Sequence, residues 1–181
     1  MIKNLEQYPI VRTETEIGWT PEKLIRFEDR IVEHWEAGKI RGPIHLSNGN
    51  EEQLIEIFKR VSENDWVLCD IDDKFYASAI VGGTLSIALG VAMGIKQKGS
   101  DEKVFVFVGD MSFESGIFYE VHKYARNFDL PIVFVVEDNG VSTYTPTEAT
   151  WNTKREIPSD VIYYTYKSKF PHYGTGKWIA F

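Results

Sequence analysis

Residues 103–140 read KVFVFVGDMSFESGIFYEVHKYARNFDLPIVFVVEDNG, and the fold is decided by how the two ends of this stretch relate. Val104–Val108 and Ile132–Val136 are continuous apolar runs, branched and aromatic, short enough to be strands buried on both faces. Between them Phe118, Val121, Tyr124, Ala125 and Phe128 recur at three- and four-residue spacing, which predicts one buried helix face. The unit is strand, helix, strand. A crossover of this length joins parallel strands, and such connections are right-handed almost without exception, so both strands end on the same edge of the sheet. The expected fold is α/β: three layers, a doubly wound and mostly parallel sheet with helices on both faces.

That edge carries Gly109-Asp110-Met111 after the first strand and Asp138-Asn139-Gly140 after the second, which sets Asp110 and Asn139 side by side. Ligands of open parallel sheets bind beyond the carboxyl ends of the strands. Magnesium takes about six oxygens and usually only a few of them from protein, the rest coming from phosphate and water. The Asp110 carboxylate, the Asn139 amide oxygen and a main-chain carbonyl near Val141 would supply such a share. Asp and Asn-Gly also suit ordinary turns, so the pair alone fits either a cation site or two connections.

Composition bounds the partners. With 181 residues and 43% hydrophobic content the chain can bury a core of single-domain size. Its net charge of −7 argues against nucleic acid, which needs clustered Lys and Arg, and implies that a bound diphosphate would lean on a metal. One cysteine, Cys69, gives no internal disulfide and fits a reducing compartment. The first residues carry no apolar run of signal length, and no segment reaches the length of a membrane span. A cytoplasmic protein is expected.

Along the chain, residues 1–19 read as an N-terminal arm ahead of one domain. Thr20 and Pro21 open a helix with Leu24, Ile25, Ile31, Val32 and Trp35 inward and Gly38 at its end. Asn50 and Gln53 resemble a capping box for a second helix with Leu54, Ile57, Phe58 and Val61 inward. Trp66–Ile71 reads as a strand, Thr84–Lys98 as a helix closed by Gly99, residues 142–158 as polar loop, and Val161–Tyr166 as a last strand. The aromatic tail, with Tyr163, Tyr164, Tyr166, Phe170, Tyr173, Trp178 and Phe181, fits core packing and a partner surface equally well. His34, His122 and His172 lack ligand-like spacing and read as structural.

The stretch from Gly109 to Thr147 resembles the thiamine-diphosphate signature, a GDG triplet followed about thirty residues later by an asparagine turn. It is most similar to the α subunits of the decarboxylating component of 2-oxo acid dehydrogenases of pyruvate, branched-chain and acetoin type, with transketolases further off. The resemblance implies that Asp110, Asn139 and the Val141 carbonyl hold magnesium, and that Gly109, Asp110, Met111, Ser112 and Asn139 hold the diphosphate. Gly38–Glu51 resembles the family's GKIRGxxHLxxGQE segment, which places His45 at the active site as the candidate catalytic residue. Ala79–Gly83 resembles its GIVG turn, which gives Ala79 and Val81 contacts to the aminopyrimidine ring. Three departures stand out: Met111 replaces a glycine, Asp138 replaces an asparagine, and Ile71-Asp72 stands where the family carries a Tyr-Arg pair.

The resemblance implies thiamine diphosphate and Mg2+ as cofactors, decarboxylation of a 2-oxo acid, and transfer of the resulting carbon unit. The family splits the site between two domains, and this chain resembles only the diphosphate-binding one. A pyrimidine-domain, β-like partner supplying the activating glutamate is therefore implied, in a hetero-oligomer. A split transketolase-like or decarboxylase subunit, and a noncatalytic partner-binding relative, are the alternatives.

Overall fold

The computed structural model describes residues 1–40, 44, 46–68, 80–152 and 154–170. They fall into two compact units, one formed by Met1–Tyr8 with Val61–Thr165, the other by Pro9–Arg60 with the segment beginning at Tyr166.

The second unit is built on helices α1 (Glu14–Ile17), α2 (Pro21–Glu36) and α3 (Glu51–Phe58). A capping box starts α1: the Thr13 hydroxyl accepts from the Glu16 amide at 3.3 Å, and the Glu16 carboxylate accepts the Thr13 amide at 2.6 Å. Thr20 caps α2 through the Lys23 amide, with Pro21 at the first helical position, as the sequence predicts. Of its expected inward residues only Val32 is fully buried; Leu24, Ile25, Ile31 and Trp35 are half-buried. In α3, Ile55 and Ile57 are buried and Leu54 and Phe58 half-buried. The expected capping box at Asn50 and Gln53 does not form. Asn50 has φ −125° and ψ 13°, outside the extended conformation a capping side chain needs, and the Glu51 carboxylate instead receives the Gly49 amide at 3.0 and 3.1 Å.

The first unit holds the sheet. Strands β1 (Trp66–Leu68), β2 (Val104–Gly109) and β3 (Ile132–Asp138) precede the short β4 (Val141–Ser142) and β5 (Thr145–Pro146), and β6 (Val161–Thr165) closes the series. The main sheet runs β1-β2-β3-β6, every pair parallel, while β4 and β5 form a separate antiparallel hairpin. Helices α4 (Gly83–Lys98), α5 (Asp110–Phe113), α6 (Gly116–Asn127) and α7 (Thr147–Trp151) complete it. One sheet face, with Val104, Val106, Val108, Phe134, Val136, Val161 and Tyr163, packs against Leu85, Ala88, Ala92 and Ile95 of α4 and Phe118, Val121 and Ala125 of α6. The alternating residues Phe105, Val133, Val135, Ile162 and Tyr164 are equally buried, which is why these strands read as unbroken apolar runs.

Several expectations need correction. Tyr124 and Phe128 of the central helix are exposed and stack on each other at 4.4 Å, because Tyr124 lies off the stripe set by Phe118, Val121 and Ala125, and Phe128 is past the last helical turn. The stretch 142–158, expected to be loop, contains part of the hairpin and α7; elements this short are set by local hydrogen bonds and leave no periodicity. Within the N-terminal arm, Lys3 pairs antiparallel with Tyr163, and Asn4 Nδ2 donates to the carbonyls of Pro158 and Val161 at 3.1 and 2.8 Å. The strand expected over Trp66–Ile71 is described to Leu68; Cys69 and Ile71-Asp72 lie outside the described residues, as do Tyr173, Trp178, Phe181 and His172 of the tail. Among the described residues no helix is long and apolar enough to cross a membrane.

Candidate cofactor and metal site

Parallel pairing of β2 with β3 sets Gly109 opposite Glu137, so Asp110 and Asp138 leave neighbouring strands at the same level and Asn139 follows one residue later. Asp110 opens α5 at the end of β2 and is only 2% exposed. Its Oδ2 is buried with no hydrogen-bond partner among the described residues, and so is the hydroxyl of Thr147, at the start of α7. Burial pushes the Asp110 carboxyl above the ordinary carboxylate range; the nearby Thr147 side chain offsets part of this, and the Asp138 charge adds to it. A buried, ionisable oxygen with unused acceptor capacity is costly until something positive meets it.

The donor set fits a hard cation. Asp110 offers a carboxylate; Asn139 offers an amide oxygen, which takes the Val141 amide at 3.1 Å; the Val141 carbonyl belongs to the same turn. Among the described residues no three His, Cys, Asp or Glu side chains gather at metal-binding spacing. Magnesium takes only a few ligands from protein and the rest from phosphate and water.

Ser112 links a second element to this edge: its hydroxyl accepts the Gly82 amide at 3.1 Å, which fixes the turn of Val81 at the start of α4 beside α5. Val81 is exposed. Gly82 has φ 71°, and a Cβ there would lie 2.6 Å from Ile117 Cγ2. Gly82→Ala therefore combines left-handed strain with overpacking, and about 2–4 kcal/mol of lost stability is expected; an unchanged midpoint in thermal unfolding would contradict this reading of the turn. Met111 is helical rather than left-handed, and its sulfur accepts the Trp151 indole N–H at 3.1 Å. The structure thus brings together Val81, Gly109, Asp110, Met111, Ser112, Asn139 and Val141. Ala79 and His45 lie outside the described residues.

Sequence reading missed a buried ionic cluster behind this edge. Arg155 Nε donates to Glu114 Oε1 at 2.6 Å, and its Nη1 donates to Asp138 Oδ2 and, at 3.4 Å, to the Tyr163 hydroxyl. Tyr163 also donates to Asp138 Oδ2, while Asp138 Oδ1 accepts the Gly140 amide at 2.8 Å. Glu114, Asp138 and Tyr163 are all buried. Burial, followed by the bond to Asp138, pushes the Tyr163 phenol up to about 12, so it stays a neutral donor. Burial opposes the charge on Arg155, but its bonds to Tyr163 and Glu114 outweigh this and raise its pKa. Two acids in otherwise apolar surroundings were the signal for a counter-ion; Arg155 sits in a polar stretch whose sequence does not mark it. His122, read as structural, is buried, stacks on Phe118 and bonds Asp160 at 2.9 Å.

Comparison with known proteins follows the same residues. The family model described as "Dehydrogenase E1 component" matches residues 69–161, just over half of the chain. The α subunit of acetoin:2,6-dichlorophenolindophenol oxidoreductase from Bacillus subtilis (strain 168) is 26% identical over 191 residues, covering 81% of this chain and 57% of that protein. A 1-deoxy-D-xylulose-5-phosphate synthase from Ralstonia pickettii (strain 12J) is 33% identical over 131 residues, 67% of this chain and 19% of that one. The pyruvate dehydrogenase E1 component subunit alpha of Rickettsia prowazekii (strain Madrid E) is 38% identical over 76 residues, 41% of this chain and 23% of that one. The chain thus spans less than two thirds of the length of each of these relatives. With the parallel sheet, the Asp110–Asn139 edge and a match across both, the chain belongs to the dehydrogenase E1 component family.

Proposed function

We propose that this chain is an α-type, cofactor-binding component of a thiamine-diphosphate-dependent enzyme that decarboxylates a 2-oxo acid and passes on the carbon unit. The observation that carries this reading is the buried Oδ2 of Asp110, without a hydrogen-bond partner among the described residues and beside the Asn139 turn, an oxygen suited to a magnesium ion. Asp110, Asn139 and the Val141 carbonyl would hold the ion, and Gly109, Met111 and Ser112 would line the diphosphate. Ala79 and Val81 would meet the aminopyrimidine, and His45 would orient substrate or move its proton near neutral pH. Thiamine diphosphate, when bound, supplies the carbanion that adds to the 2-oxo acid carbonyl. The whole chain then serves as one diphosphate- and metal-binding domain of a cytoplasmic hetero-oligomer, with a β-like partner contributing the activating glutamate.

Similarity to 1-deoxy-D-xylulose-5-phosphate synthase supports a second reading, carbon–carbon bond formation by a transketolase-like subunit. Calorimetric titration with thiamine diphosphate is expected to show binding in magnesium and none in EDTA, since an acidic chain of net charge −7 repels a bare diphosphate. No binding in magnesium, with the chain folded and its partner present, would overturn both enzymatic readings and leave a partner-binding relative. Product analysis separates the two enzymes, because only the second joins two carbon skeletons.

A further inference from the structure

The cluster of Glu114, Asp138, Arg155 and Tyr163 lies outside the set of groups assigned to the cofactor. It nevertheless reaches the site, since the parallel register sets Asp138 level with Asp110 on the neighbouring strand, one residue before Asn139. Two buried carboxylates face one guanidinium, and both bond to it. Each of the two Asp138 oxygens is already engaged. Oδ1 ties down Gly140, inside the turn that carries Asn139 and Val141; Oδ2 takes Arg155 and Tyr163.

We propose that Arg155 is a positioning residue of the cation and diphosphate site. It compensates the buried carboxylate at 138 and holds Asp138 in the orientation that pins the Asn139 turn. The inference rests on the cofactor-binding reading above. Its physical basis is that an uncompensated negative charge one residue from Asn139 repels a diphosphate, whereas the same charge paired to a guanidinium does not. A forked guanidinium is needed because two separate carboxylates are bound at once, which a lysine ammonium does less well.

The test is the dissociation constant of thiamine diphosphate at saturating magnesium, read by quenching of tryptophan fluorescence, for wild type, Arg155→Met, Asp138→Asn and the double variant. Arg155→Met is expected to weaken binding about tenfold, Asp138→Asn to tighten it about threefold, and the double variant to return within about threefold of wild type. A residue that only supported the fold would leave the double variant as weak as Arg155→Met. That result, or wild-type affinity in Arg155→Met, overturns the proposal while leaving the cofactor reading intact. Should Arg155→Met fail to fold, the near-isosteric Asp138→Asn decides alone: tighter binding supports compensation, and unchanged or weaker binding overturns it. A folded wild-type chain that binds neither magnesium nor thiamine diphosphate overturns the cofactor reading and this proposal together.

Discussion

Asp110→Asn is expected to weaken magnesium-dependent binding of thiamine diphosphate by about a hundredfold or more, the scale on which losing one partner of a buried charge pair is felt. The same substitution is expected to stabilise the bare chain. The carboxyl is 2% exposed, one oxygen lacks a partner, and burial raises its pKa above the ordinary 3.8. A group whose pKa is higher in the folded state than in the unfolded one favours folding when protonated. That contribution is present below 3.8 and disappears as pH rises through the raised value, because the folded state then holds an ionised oxygen it does not solvate. Asparagine never ionises, so the two melting curves should be close in acid and separate as pH climbs. Near neutrality and in EDTA the variant should be more stable by about 1–3 kcal/mol, and magnesium with cofactor should narrow or reverse the difference by stabilising only the wild type. A variant less stable than wild type in EDTA at neutral pH would mean that Asp110 already has a partner in the bare fold.

Phe118→Ala is the substitution expected to damage the sheet unit most. The ring is 1% exposed on α6 and meets Phe113 of α5 edge-on at 4.7 Å, Phe134 of β3 at 5.4 Å and the stacked His122 ring at 5.5 Å. Truncation empties a space bounded by three elements, two of which end at the candidate site, so the surroundings cannot close without moving α5. A cost of about 3–5 kcal/mol is expected, which for a chain of this size is about 2–4 °C of melting temperature per kcal/mol. Urea unfolding measures it directly. A loss under about 1 kcal/mol would mean that α6 can settle onto β3 without the ring, and that the site edge is held by the strands alone.

The central crossover unit and the meeting of Asp110 with Asn139 were legible because both rest on periodicity and handedness, which a sequence displays. Thr20 and Pro21 were legible for a local reason: both act within one turn of where they sit. What escaped depends on distant partners. Asn50 looked like a cap, yet the neighbouring Glu51 took over the loop amide through a backbone angle that no spacing rule encodes. Tyr124 had buried spacing from both Val121 and Phe128, yet it lies off the stripe and stacks on Phe128 on the outside. Arg155 was invisible because its partners Glu114, Asp138 and Tyr163 come from three separate stretches of chain.

The antiparallel bridge between Lys3 and Tyr163, with Asn4 and Gln7 bonded to carbonyls at 158, 159 and 161, also has a temporal meaning. Residues 4 and 7 close onto the start of the last strand of the sheet and the turn before it, across more than 150 positions. Contacts of such separation are slow to form, because the loop they close must be ordered before they are rewarded. During synthesis, helix α6 and its flanking strands can assemble as soon as they emerge, but the amino-terminal segment must wait for β6. Completion of this unit therefore waits for β6, and until the bridge closes the Tyr163 edge lacks the backbone partner it has in the finished fold.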